Sequence, residues 1–166
     1  MFFSPPCYSG RGGGVCIYAK NVLSPNIINL NIPKQTGIED LWITVQCRKL
    51  PAIIIGCIYR HPKASATTFD YIQDVFRLIS MKNKTFLSLG DFNDNLLVSN
   101  NKISRIIKNN KLTQIIGKPT RITPTSSTLL DLVITNMPDT ICSWDVVPQE
   151  IADHDLVSVA IDVSKP

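Results

Sequence analysis

Hydrophobic residues recur along this chain at a spacing of two more often than at a helical spacing, so strands should outnumber helices. Leu41-Trp42-Ile43-Thr44-Val45-Gln46-Cys47 alternates as a half-buried strand does, and residues 52–59 are apolar throughout, as in a fully buried one. Between them Arg48-Lys49-Leu50-Pro51 is a short polar connection, which predicts a hairpin. Further strands are predicted over residues 14–19, 26–30, 85–89, 129–135, 144–147 and 156–161. Two stretches carry helical spacing. Phe69, Ile72, Val75, Phe76 and Ile79 share one face behind a capping Thr67 or Thr68. Ile103, Ile106 and Ile107 share another, starting at Ser99 or Asn100, with Lys102, Arg105 and Lys108 opposite. Residues 1–13, holding Pro5, Pro6 and several glycines, read as a loop or extension, and 118–127 as an exposed loop. Residues 14–163 then form one domain. Helices interspersed among strands make the class α/β with a mixed sheet.

Composition narrows this only a little. A chain of 166 residues, 44% hydrophobic and 18% charged, can bury a core and is not disordered. The cysteines (Cys7, Cys16, Cys47, Cys57 and Cys142) are dispersed without a Cys-x-x-Cys pair. That pattern predicts a reducing compartment, nuclear or cytoplasmic, with neither a disulfide framework nor a zinc site. No apolar run reaches the roughly 18 residues of a membrane span, and the opening Met-Phe-Phe-Ser-Pro-Pro lacks the basic start of a signal peptide. The net charge of +4 is compatible with a nucleic-acid partner. Its basic residues concentrate between Asn95 and Leu130, which holds Lys102, Arg105, Lys108, Lys111, Lys118 and Arg121 but no acid. Such a set is either the solvated face of a helix or a phosphate-tracking surface. Lys118 and Arg121, lying in the loop, are the candidates for DNA contact.

The chemistry-bearing residues sit at the ends of apolar strands. Thr85-Phe86-Leu87-Ser88-Leu89 runs into Gly90-Asp91-Phe92-Asn93, delivering a carboxylate and an amide where α/β proteins keep their sites. Turn stabilisation is the competing reading of Asp91 and Asn93. Asp131, inside Leu129-Leu130-Asp131-Leu132-Val133, must be partly buried and needs a partner. His154, following Asp153 just before the last strand, is the candidate. Asp153 itself suits a hard cation. Tyr59 closes the 52–59 run and reads either as a core aromatic with a wet hydroxyl or as a site residue.

In combination these pieces resemble the endonuclease/exonuclease/phosphatase family, the fold of DNase I and of the apurinic/apyrimidinic endonucleases. Within it the chain is most similar to the endonuclease domain of jockey-type non-LTR retrotransposons. The matching residues are Gly12-Gly13-Gly14-Val15-Cys16-Ile17-Tyr18, Ile58-Tyr59-Arg60, Gly90-Asp91-Phe92-Asn93, Pro119-Thr120-Arg121, Leu130-Asp131-Leu132-Val133-Ile134-Thr135-Asn136 and Asp153-His154. The resemblance implies a DNase I-like two-sheet sandwich with flanking helices and Mg²⁺-dependent cleavage of DNA phosphodiesters, Mn²⁺ being an alternative metal. It further implies a parent polyprotein with a reverse transcriptase. By the same resemblance, Asp91 orients or deprotonates the attacking water and Asn93 contacts the phosphate and supports the metal site. Tyr59 contacts the phosphate, Asp153 belongs to the metal shell, and Asp131 with His154 forms a buried couple that stabilises charge on phosphorus.

Two departures stand out. Ala152 replaces the serine that commonly precedes Asp-His in the family. The strand-helix-strand segment carrying an Asn and then the principal metal-binding Glu has no counterpart, so the domain reads as amino-terminally truncated; Glu39 lies outside that motif. The alternative expectation is therefore a catalytically inactive remnant that binds nucleic acid weakly. A phosphatase of the same fold is a third.

Overall fold

The computed structural model describes residues 1–4, 13–46, 50–82 and 84–162. Most of the expected 1–13 loop, the first half of the 48–51 connection, Cys7 and Cys47 lie outside the described residues.

The chain forms β1 (Phe2–Phe3), β2 (Ile17–Tyr18), β3 (Asn26–Ile27), β4 (Ile38–Val45), β5 (Ile53–Arg60), α1 (Thr67–Met81) and β6 (Phe86–Asp91). It continues through α2 (Lys102–Asn109), β7 (Thr113–Gln114), β8 (Arg121–Thr123), β9 (Ser126–Thr128), β10 (Asp131–Thr135), β11 (Ile141–Val147) and β12 (Leu156–Ile161). Six strands make one mixed sheet in the order β3-β4-β5-β6-β10-β7. β4 and β5 pair antiparallel as the predicted hairpin, while β5 and β6 run parallel with α1 as the crossover.

Residue parity sorts the sheet into two faces. One face carries Asp40, Trp42, Ile54, Gly56, Ile58 and Phe86 and meets the apolar stripe of α1. Phe76 and Phe86 rings lie 5.8 Å apart there, and Tyr71 donates to the Asp40 carboxylate at 3.0 Å. Gly56 is obligatory on this face, because a Cβ would come within 2.2 Å of the Trp42 ring. The other face presents Ile43, Val45, Ile53 and Ile55, which line an apolar cleft together with Ile17 of β2 and Ile161 of β12. The β11–β12 pair forms the second layer, its Trp144, Val146, Val157 and Val159 packed against the core. Burial pushes the Cys57 thiol on that face up to about 11, so it behaves as a small neutral hydrophobe. No helix among the described residues is long and apolar enough to cross a membrane.

The structure departs from expectation at several ends. Residues 2–3 are a strand rather than loop, paired with Ile17–Tyr18, with the Phe2 and Tyr18 rings in tilted contact at 4.7 Å. Residues 118–127 are not an open loop. Arg121–Thr123 and Ser126–Thr128 form a hairpin closed by the Ser126 N–H donating to Thr123 Oγ1 at 3.0 Å. Neither Thr67 nor Thr68 caps α1; the Thr68 hydroxyl is taken by Arg60, whose Nε donates to it at 2.8 Å. α2 begins later than predicted because Asn101 accepts the Ser104 N–H at 2.7 Å and serves as its cap.

Candidate active site

Three pairings align one row of side chains across four strands. Glu39 of β4 stands opposite Tyr59 of β5, Tyr59 opposite Asp91 of β6, and Asp91 opposite Asp131 of β10. Registered partners point to the same face, so all four side chains project together, with neighbouring strands about 4.8 Å apart. The row lies where the parallel strands β5 and β6 both end.

Asp91 is set by the turn that follows it. Asn93 adopts a left-handed conformation (φ 45°), tolerable for asparagine. Its N–H donates to Asp91 Oδ1 at 2.9 Å, and its Nδ2 donates to Asp91 Oδ2 and to the Arg60 carbonyl, both at 2.8 Å. Phe92 between them is completely buried, which forces its two neighbours outward. Arg60 braces the turn from below. Its guanidinium is buried, lies 4.1 Å from the Phe69 ring, and donates to the carbonyls of Ala64 (3.0 Å) and Asn93 (3.4 Å).

Asp131 and His154, its candidate partner from sequence, meet with Oδ2 and Nδ1 2.8 Å apart. An ionised carboxylate can only accept, so Nδ1 carries the proton and Nε2 is left for a ligand. Thr120 fixes both partners. Its buried hydroxyl accepts the N–H groups of Leu130 and Asp131 at 3.2 and 2.9 Å, and its carbonyl accepts Asp155 N–H at 2.8 Å. Ligand atoms of Asp91, Asp131 and His154 all lie within 4.8 Å of one another.

The structure thus brings together Tyr59, Asp91, Asn93, Asp131 and His154. Three other candidates stand apart. Asp153 is exposed and outside the cluster; Arg121 donates to its Oδ2 through Nε (2.8 Å) and a terminal nitrogen (2.7 Å). That pairing holds the Asp153 carboxyl below its usual range. Arg121 is spent on the same ion pair, and Lys118 pairs with Asp145 at 3.2 Å. Arg60 and Thr120 enter the sequence reading only as members of matched motifs, with no role of their own, and Glu39 only as a residue outside the metal-binding motif, whereas the structure puts Glu39 in the row. Counting alternation backwards through the β4–β5 hairpin places Glu39 opposite Tyr59, and the inward parity of Arg60 with Ile54 and Ile58 was likewise readable.

Burial raises the Asp91 pKa, and the neighbouring Asp131 charge adds to it against the Asn93 hydrogen bonds. Burial, then Asp91 and Glu39, raise that of Tyr59 and keep its hydroxyl a donor; it has no hydrogen bond among the described residues. Gly13 (φ 97°) reaches into the row, where a Cβ would stand 3.0 Å from both Glu39 Oε1 and Tyr59 Cε1. Because the Asp91 pKa is raised in the folded chain, the stability tied to its proton is full below the ordinary value of 3.8. It is lost as pH rises through the folded value. Asp91→Asn cannot titrate. The melting temperature of that variant minus wild type should therefore become steadily more positive from acid to neutral pH. A pH-independent difference in thermal melts would contradict the burial of this carboxylate.

No protein-family model matches the sequence, and no curated protein does. Solved structures do match in fold. The endonuclease domain of TRAS1, a telomere-specific non-LTR retrotransposon, superposes with a TM-score of 0.71 at 16% identity, over 99% of this chain and 80% of that one. An endonuclease/exonuclease/phosphatase family protein from Leptotrichia buccalis gives 0.70 at 14%, over 98% of this chain and 71% of its own. A mannosyl-6-phosphatase from Bacteroides thetaiotaomicron gives 0.53 at 14%, over 74% and 56%. The chain has the DNase I-like fold of the endonuclease/exonuclease/phosphatase proteins.

Proposed function

We propose that this chain is the phosphodiester-cleaving part of a Mg²⁺-dependent DNA endonuclease, acting in the nucleus or cytoplasm within a retrotransposon polyprotein that also carries a reverse transcriptase. The observation that supports it most is the register row of Tyr59, Asp91 and Asp131 with His154 locked onto its end. Similarity in fold to a retrotransposon endonuclease domain points the same way.

Each residue has work that its placement allows. Asp91, a carboxylate whose burial makes it a better proton acceptor, takes the proton of an attacking water. Asn93 holds that carboxylate in one orientation through two hydrogen bonds. The Tyr59 hydroxyl donates to a phosphoryl oxygen. His154, with Nδ1 committed to Asp131, offers Nε2 to the charge that grows on phosphorus.

The donor set offers Mg²⁺ the hard oxygens it takes, since Asp91 and Asp131 bring two carboxylates together and the amide of Asn93 adds a neutral oxygen, while Glu39 stands two strands further along the row. The Asn93 amide oxygen and the second carboxylate oxygen of Asp131 would hold the ion, which leaves Asp91 for the attacking water, and Glu39 is a further carboxylate at the far end of the row. When bound, the cation supplies electrostatic stabilisation of the phosphorane-like transition state. Asp153 joins this shell only if its bond to Arg121 opens.

Supercoiled plasmid incubated with Mg²⁺ should be nicked, and EDTA should abolish the nicking. Asp91→Asn should slow it at least about a hundredfold. Equal nicking by wild type and variant would refute the assignment. A second reading, DNA binding without cleavage, is favoured by one observation: both Asp91 oxygens already accept bonds from Asn93. A gel shift with no nicking under any divalent metal would select it.

A further inference from the structure

The turn between β5 and α1 lies beside the row and carries donors that the proposed chemistry does not use. His61 follows Tyr59 by two residues, and the rings meet edge to face with centroids 6.5 Å apart. The turn is rigid. His61 N–H donates to the Gly37 carbonyl at 2.8 Å, Ala64 N–H donates to the His61 carbonyl at 2.9 Å, and Arg60 donates to the Ala64 carbonyl at 3.0 Å. Gly37 permits this approach, because a Cβ there would stand 2.8 Å from that of Ala64.

The imidazole is fixed as well. Lys63 N–H donates to His61 Nδ1 at 3.2 Å, so Nδ1 is unprotonated and the proton sits on Nε2. Nε2–H is exposed and has no partner among the described residues. The Lys63 ammonium, in the same turn, is also exposed and makes no ion pair among the described residues. Two free donors on a pinned backbone, two and four residues after a tyrosine that faces a carboxylate row, suit an anion outside that row.

We propose that His61 Nε2–H and Lys63 Nζ bind the phosphate one nucleotide away from the phosphate held at Tyr59 and Asp91. The proposal rests on reading the row as a phosphodiester site, and it narrows the substrate to a polynucleotide strand. Successive phosphates of one strand advance about 3.4 Å along the duplex axis and further along the strand itself. The edge-to-face contact of the Tyr59 and His61 rings, centroids 6.5 Å apart, puts the second donor beside the first rather than on the same anion. A sugar monophosphate would leave the second position empty.

The test compares two small probes bound to the full chain and followed by NMR titration. Thymidine 3′,5′-bisphosphate carries two phosphates one nucleotide apart, and thymidine 5′-phosphate carries one. Wild type should bind the bisphosphate about tenfold more tightly. His61→Ala should bind both alike, Lys63→Ala should lose part of the preference, and His61→Gln, which keeps a donor, should retain part of it. Equal affinity of wild type for the two probes, no binding of either, or a preference that survives His61→Ala would each overturn the subsite. Binding is read without turnover, so absent plasmid nicking alongside an intact preference would reject the nuclease reading and leave the subsite standing.

Discussion

Replacing His154 by alanine is expected to lower plasmid nicking about a thousandfold while the chain still folds, the loss typical of a removed acid–base or charge-stabilising group. The expectation follows from how the imidazole is held. Its side chain is 30% exposed and its Nδ1 is spent on Asp131, so Nε2 is the nitrogen a phosphate can meet. Removing the imidazole leaves the Asp131 carboxylate, 22% exposed, without its partner, which should cost about 1–3 kcal/mol of stability, still below the roughly 4 kcal/mol of the rate effect. Asp131→Asn should weaken the same function, because an amide no longer neutralises or orients the imidazole as a carboxylate does. The informative comparison is the double variant. If the two residues act as one unit, combining the substitutions costs no more than His154→Ala alone. Losses that multiply would show two independent roles and break the couple as a functional unit. Thermal melts on all three variants separate this outcome from unfolding.

Particular residues show why some of this was legible in the sequence and some was not. The β4–β5 hairpin follows from alternation, a property of adjacent residues. The Asp131–His154 contact follows from an energetic necessity, since a carboxylate embedded in an apolar strand must find a partner and few basic side chains could reach it. The ion pair of Asp153 with Arg121 had no such signal. Both residues are polar ones in predicted surface segments, 32 positions apart, and only the β8–β9 hairpin packing beside the His154 backbone brings them together. β7 was invisible for a similar reason: Thr113–Gln114 is too short for a pattern and exists only because β10 offers an edge. Arg60 illustrates a third case. A charge at an inward position looks like an error in the pattern, yet its three donor contacts and the Phe69 ring make it the brace of the 91–93 turn. Local rules therefore located the strands and the polar ends. The register that turns those ends into one row is a tertiary property.

That register depends most sharply on Gly90, and Gly90→Ala should be the most damaging single-methyl change among the described glycines. The glycine sits at φ 140°, a backbone conformation that L side chains rarely adopt, immediately before Asp91. A Cβ there would fall 1.8 Å from the Ile58 carbonyl oxygen and 2.8 Å from its carbon. The obstacle is backbone, not the movable end of a side chain, so relief requires β5 and β6 to separate. Backbone strain of about 1–3 kcal/mol and overpacking of similar size add to several kcal/mol, a large part of the total stability of a domain this size. The variant should accumulate as insoluble protein or melt many degrees below wild type. Gly117→Ala is the matched control: its Cβ would meet only the Trp144 ring at 3.6 Å, ordinary contact, and should change stability little. If Gly90→Ala melted like wild type, the close approach of the two parallel strands would be wrong, and with it the pairing of Tyr59 with Asp91. If instead it folded weakly yet soluble, Ile58 would have moved. Tyr59 would move with it, and nicking should fall even at temperatures where the fold persists. Fold and candidate chemistry therefore hang on the same pair of strand ends.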